Sequence, residues 1–358
     1  MSGTLGISSY SMLDQLLASA DSLNTQYANL QEQVSTGLVS QTYSGVSSAS
    51  SQVLDLAATI NQGNAYTQNI NQGQAQVSTV QNVLTQVGSL VSAMAANTVS
   101  VTADSSSDTV TSLAQQASDD LSQIASLLNT TYEGNYVFSG ADNANPAVTN
   151  PEGVTSSTMF SNIGSMVAAF TGGTGTGSAG TLIGNASSIM ATGTIFSSYL
   201  TSAATTAVTP PQVEIGPSDY VTVGLPATQN VGAGTASSGV GSAITDIMGS
   251  LAVIANGTGA MANSASYATL MQGVTTALNQ AGNTLAQESG YLGQSQDAMT
   301  AAASTQTAAQ TALSTQMSNL TDVDMPTAIS QMQEISSQLQ TSYTVLGEVS
   351  KLNLASYL

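Results

Sequence analysis

Cysteine, histidine and tryptophan are absent from this chain of 358 residues, and one basic side chain, Lys351, faces 20 acidic ones, for a formal net charge of −19. Without thiols or imidazoles there are no disulfides, thiolate nucleophiles, histidine bases or Cys/His zinc sites. A serine nucleophile would have only carboxylates, tyrosines or Lys351 to activate it. Lys351 sits in an apolar terminal stripe, where a last-turn cation meets the helix dipole. The expectation is therefore a protein that is not an enzyme and needs no cofactor or metal. Nucleic acid is excluded as a partner, because neutralising phosphates takes Lys and Arg.

Long hydrophobic runs are missing too. No 18 consecutive apolar residues occur, so membrane insertion is not expected. The opening "MSGTLGISSY" lacks the basic and apolar regions of a cleavable leader, which implies retention in the cytosol or export by a signal-independent route. Asp104, Asp108, Asp119 and Asp120 do not follow calcium-loop spacing and read as caps and solubilising groups. The glycine run at 172–180 lacks a following G-K-S/T and reads as a flexible loop. The 13 methionines suit irregular helix interfaces.

What is present is heptad periodicity at both ends. Leu13, Leu16, Ala20, Leu23, Tyr27, Leu30 and Val34 alternate threes and fours, the spacing of a coiled-coil seam. The final stretch carries Ile329, Met332, Ile335, Leu339, Tyr343, Leu346 and Val349, preceded by "TDVDMP", where Asp322 or Asp324 can cap and Pro326 suits a first turn. Further seams run from Val77 to Met94 and from Val110 to Leu128, and helical spacing resumes after about residue 243. Between them, "EGNYVFSGADNANP" (133–146) switches to β-prone residues bracketed by turn formers, and 141–240 is rich in Gly, Thr, Ser and Pro.

These patterns predict an α+β fold: a mainly helical, antiparallel coiled-coil bundle formed by both termini, with a central β-rich insert. Three regions are expected: a terminal coiled coil of 1–45 with 318–358, a helical rod with a β-hairpin of 46–140 with 241–317, and a surface-exposed insert of 141–240. Isolated helices are marginal in water, so the terminal stripes need each other. Leu17, Leu38, Leu352, Leu354 and Leu358 lie off the narrow seams. They either pack against further subunits or complete a monomeric bundle.

The run 320–358 resembles the C-terminus of the bacterial flagellins: an acidic turn, a heptad helix with a Q-x-S-Y step at Gln340, Ser342 and Tyr343, and a close at Leu354, Tyr357 and Leu358. Residues 13–50 resemble that family's opening helix, followed by an S-T-G turn at Ser35, Thr36 and Gly37. The segment 131–148, with Asn135, Tyr136, Val137, Phe138, Ser139 and Gly140, resembles the Y-x-F-S-G segment of the hook-filament junction branch, hook-associated protein 3. Leu84, Val87 and Leu90 keep the apolar frame of the flagellin L-Q-R-V-R-E-L segment, but its charged positions are Gln86, Gly88 and Ser89 here.

The resemblance implies a structural, extracellular flagellar subunit, exported unfolded by the flagellar type III system without a cleaved signal peptide. It polymerises through Leu13, Leu16, Leu23, Tyr27, Leu30, Val34, Ile329, Met332, Ile335, Leu339, Tyr343, Leu346, Val349, Leu352 and Leu358. Implied partners are copies of itself, the hook-side junction protein, flagellin and an export chaperone. The junction role is the reading, with filament flagellin as the alternative; a cell-surface adhesin would leave the paired heptads unexplained. With almost no basic residues, packing and neutral hydrogen bonds must hold the assembly.

Overall fold

The computed structural model describes residues 4–46, 49–175, 177–201, 208–232 and 241–355, with side chains between 14 and 349. In chain order the elements are α1 (Thr4–Thr36), α2 (Ser50–Val99), α3 (Ser107–Leu127), β1 (Thr131–Tyr132), β2 (Asn135–Tyr136), α4 (Thr158–Thr171) and α5 (Ala179–Thr192). There follow α6 (Ser198–Thr201), β3 (Gln212–Gly216), β4 (Asp219–Thr222), α7 (Ala243–Ala255), α8 (Ala265–Thr321) and α9 (Met325–Ala355). The chain is 72% helical, with long helices at both ends and strands confined to the middle, as the patterning predicts. It divides into two compact units, residues 1–64 with 307–358 and residues 65–306.

In the first unit α1 packs on α9. Helix α1 stops at Gly37, whose φ of +75° lets its N–H return to the Gln33 carbonyl at 2.8 Å. The chain then pairs with the α8–α9 turn: Val39 N–H donates to the Thr321 carbonyl (2.7 Å) and Val323 N–H to the Gly37 carbonyl (2.9 Å). Of the two expected capping residues, Asp324 begins α9, accepting from the Thr327 hydroxyl at 2.9 Å. Asp322 instead accepts from Ser318 and Thr321 at the end of α8.

In the second unit α2 and α8 run antiparallel. Thr98 meets Thr275 at 2.9 Å, Gln81 donates to the Ser289 carbonyl at 3.4 Å, and Gln74 donates to Thr300 at 3.1 Å. Val77, Val80, Leu84, Val87, Val91 and Met94 are buried between them and their neighbours, as are Leu270, Val274, Leu285 and Leu292. Each such aliphatic contributes about 1.5 to 3 kcal/mol. Helix α3 begins at Ser106, which accepts from Thr109 N–H at 3.2 Å, and packs its apolar face on α7.

The middle of the chain holds the strands as two two-stranded antiparallel ribbons, β1–β2 and β3–β4. The latter uses the "QVEIG" and "DYVT" runs, with a register shift between Glu214 and Gly216. The Gly/Ser/Thr-rich stretch around it nevertheless holds more helix than strand, in α4, α5 and α6. Ser157 accepts from Phe160 N–H and Ser178 from Thr181 N–H, each at 3.2 Å, so serines in a loop-like composition start helices here. Met159, Ile163 and Val167 of α4 and Leu182, Ala186 and Met190 of α5 bury one stripe each.

Candidate assembly site

Contacts at three levels fix the α1–α9 pair as antiparallel. Leu38 bridges to Asp322, Leu30 and Gln33 border the same groove as Ile335 and Gln338, and Asn24 donates to the Tyr343 hydroxyl at 2.8 Å. On α1, Ala20 is buried and Leu16, Leu23, Tyr27, Leu30 and Val34 are half-buried. On α9 the inward face carries Ala328, Met332, Ile335, Leu339, Ser342, Leu346 and Val349 at alternating steps of four and three, with Ser336 half-buried beside Ile335. Ile329 and Tyr343, expected from their apolarity to lie on this stripe, are 37% and 51% exposed; Ala328 and Ser342 take the inward steps. The side chains of Leu13 and Leu352 lie outside the described ones, and Leu358 lies outside the described residues.

The pair leaves apolar surface uncovered. Nine large apolar side chains stand exposed among the described residues, and seven belong to the first unit: Leu17, Tyr43, Leu54, Met325, Ile329, Tyr343 and Val345. Leu17 is 51% exposed in the middle of α1. Beside the seam runs a groove of about 510 Å³ where Leu30 and Ile335 sit among glutamines, asparagine and Glu334. Neutral amides rim it, so another helix can settle there without desolvating more than one charge.

The segment 135–140 belongs to the second unit and is built differently. Asn135 and Tyr136 form β2, opposite Tyr132 and Thr131. The two residues between the strands, Glu133 and Gly134, have φ of 50° and 83°, the doubly left-handed turn that matches strand twist. Val137 and Phe138 are fully buried, and the Phe138 carbonyl accepts from Ala227 N–H at 2.9 Å. The buried Ser139 hydroxyl donates to the Asn145 carbonyl at 2.6 Å. Gly140 has φ of +68°, and a Cβ there would lie 2.7 Å from Val208 Cγ1 and 3.2 Å from the Thr209 carbonyl oxygen. This segment is thus a folding lock, with only Asn135 exposed and Tyr136 half-buried.

A second lock was not readable from sequence. Glu288, on α8 and fully buried, accepts from Val231 N–H at 2.8 Å and Gly232 N–H at 3.0 Å. A buried carboxylate is tolerated when backbone donors satisfy it. Asp120 contrasts with it: 8% exposed, it leaves Oδ2 unpartnered, and burial, then the neighbouring Asp119, pushes its carboxyl above the ordinary range. The Tyr267 hydroxyl, also buried and unpartnered, is pushed up to about 12 by burial. Asp104, Asp108 and Asp119 stay scattered along α3 and its approach; among the described residues no three His, Asp or Glu converge to hold a metal ion. No helix among them is long and apolar enough to cross a membrane.

Comparison with known families matches both ends of the chain. The model of the bacterial flagellin N-terminal helical region matches residues 7–143, and that of the bacterial flagellin C-terminal helical region matches residues 275–358. No curated protein matches the chain at a significant level. The two matched regions contain nearly all of α1, the whole of α9, the β1–β2 ribbon and most of α8, and together they span more than half of the chain.

Proposed function

This chain belongs to the bacterial flagellin family of structural flagellar subunits, and from that premise we propose that it is the subunit joining hook to filament. Polymerisation proceeds through the paired ends. The seam residues hold α1 to α9 within a subunit, and the exposed Leu17, Ile329, Tyr343 and Val345 are covered by the equivalent helices of neighbours. Association then supplies burial that the isolated pair lacks.

The observation that favours the junction role is the 131–148 segment. Its Tyr136–Gly140 core resembles the pattern of the junction branch and is held by a ribbon, a buried Phe138 and a left-handed Gly140. The chain leaves the cell by the flagellar type III route with an export chaperone, and its neighbours are the hook-side junction protein and flagellin. A filament subunit is the second reading, favoured by matches to flagellin regions at both ends.

Electron microscopy of a strain lacking the gene separates the two readings. Intact hooks without filaments, with flagellin shed into the medium, are expected for a junction subunit. Hooks bearing a junction zone but no filament, with no flagellin in the medium, would overturn the junction role in favour of the filament subunit.

A further inference from the structure

We propose that this subunit is built to stay folded in strongly acid surroundings, because neutral groups hold its fold where other proteins use charged ones. Acid unfolds proteins by breaking ion pairs, by charging buried histidines and by driving positive side chains apart. Histidine is absent and Lys351 is the one side chain that can carry positive charge, so the last two routes are closed. Residues 65–306 contain no Lys or Arg, so no carboxylate of that unit has a side-chain cation within it to lose.

The structure repeats this choice at positions where a carboxylate would serve. Helices α3, α4, α5, α7 and α8 start on Ser106, Ser157, Ser178, Ser242 and Ser264, whose hydroxyls each accept a backbone N–H at 3.2 or 3.3 Å. Aspartate caps a helix as well as serine does, and the return partner in a capping box is ordinarily Glu or Gln. In α7 that partner is Thr245, whose hydroxyl accepts from Ser242 N–H at 2.7 Å. The polar contacts of α2 with α8 and α3 are also neutral: Thr98 with Thr275, Gln74 with Thr300, and Asn97 with Gln116. Hydroxyls and amides keep the same hydrogen bonds as carboxylates gain their protons.

Among the described residues the buried carboxylates are those of Glu288 and Asp120, and both sites accommodate a proton. Val231 and Gly232 N–H both reach Oε2 of Glu288, at 2.8 and 3.0 Å, so a proton on Oε1 leaves them an acceptor. Asp120 has Oδ2 unpartnered; Asp119 beside it and Asp246 on the packed α7 are acidic, and no element of residues 65–306 brings a cation. Its neutral form therefore suits the site. Each carboxylate that acid neutralises also removes one of the like charges behind the net −19.

Circular-dichroism melts of the full chain at about pH 7 and about pH 3 test this, beside a Ser106→Asp/Ser178→Asp variant that gives two exposed caps a titrating group. The Tm of the parent at about pH 3 should be at least as high as at about pH 7. The variant should match the parent or exceed it at the higher pH, and fall about 2 to 4 °C below it at the lower. A parent Tm that is lower at the acid pH, or a variant that follows the parent at both, overturns the proposal.

Discussion

Replacing Gly140 with alanine tests the Tyr136–Gly140 lock at its tightest point. Gly140 combines φ of +68° with close neighbours, Val208 Cγ1 at 2.7 Å, Tyr199 Cε1 at 3.1 Å and the Thr209 carbonyl oxygen at 3.2 Å from the position of an added Cβ. The left-handed backbone costs an L-residue about 1 to 2 kcal/mol. Forcing a methyl against a well-packed neighbour adds about 1 to 3 kcal/mol. The expected loss is about 2 to 5 kcal/mol, which for a unit of this size lowers Tm by roughly 4 to 20 °C. Gly134 provides the control: its φ is +83°, but nothing lies within 4 Å of its added Cβ. Gly134→Ala should therefore cost the backbone contribution alone, about 1 to 2 kcal/mol. Loss of unfolded-chain freedom offsets both variants alike, leaving their difference intact. Calorimetric or circular-dichroism melts of the two variants measure that difference. Equal losses would remove the close approach at Gly140, and an unaltered Tm in Gly140→Ala would refute the lock altogether.

Two further outcomes follow from buried carboxylates. Burial raises the Asp120 carboxyl above its ordinary 3.8, so the folded chain holds that proton more tightly than the unfolded one. Its stabilising contribution is complete below about 3.8 and is lost as pH rises through the raised value. Asp120→Asn should match the parent at about pH 3 and be more stable at about pH 7; denaturant melts at the two pH values check this, and a less stable variant at the higher pH contradicts the sign. Glu288→Gln weakens the acceptor for Val231 and Gly232 N–H, and should cost about 1 to 3 kcal/mol. Faster hydrogen exchange at those two amides is the readout, and unchanged protection argues against the clamp.

The seam of α1 is legible because Leu16, Ala20, Leu23, Tyr27, Leu30 and Val34 all turn inward and keep the three-four alternation unbroken. On α9 the geometry keeps that alternation while the side chains depart from it. Ala328 and Ser342 occupy inward steps, and the larger Ile329 and Tyr343 beside them draw the eye one position away. Size and apolarity mark what a helix will bury against something, and here part of that burial is not supplied within the chain. Helices α4 and α5 escaped a compositional reading because Gly, Ser and Thr outnumber their apolar stripes. The discriminating signals were Ser157 and Ser178 three residues before the N–H groups they cap, and the fourfold spacing of Met159, Ile163 and Val167. The partners of Glu288 lie more than fifty residues earlier in the chain, so no local pattern shows them. Gly140 was visible as a motif letter, but its reason, Val208 folding back over it, is tertiary.

Assembly of a chain trimmed of residues 1–36 and 325–358 is the most direct test of polymerisation through the terminal helices. Full-length and trimmed proteins are compared by electron microscopy and sedimentation, with melting of the second unit as the control for folding. The full chain should form ordered polymers and the trimmed chain should remain monomeric with that melting transition preserved. Ordered polymers from the trimmed chain would contradict assembly through α1 and α9.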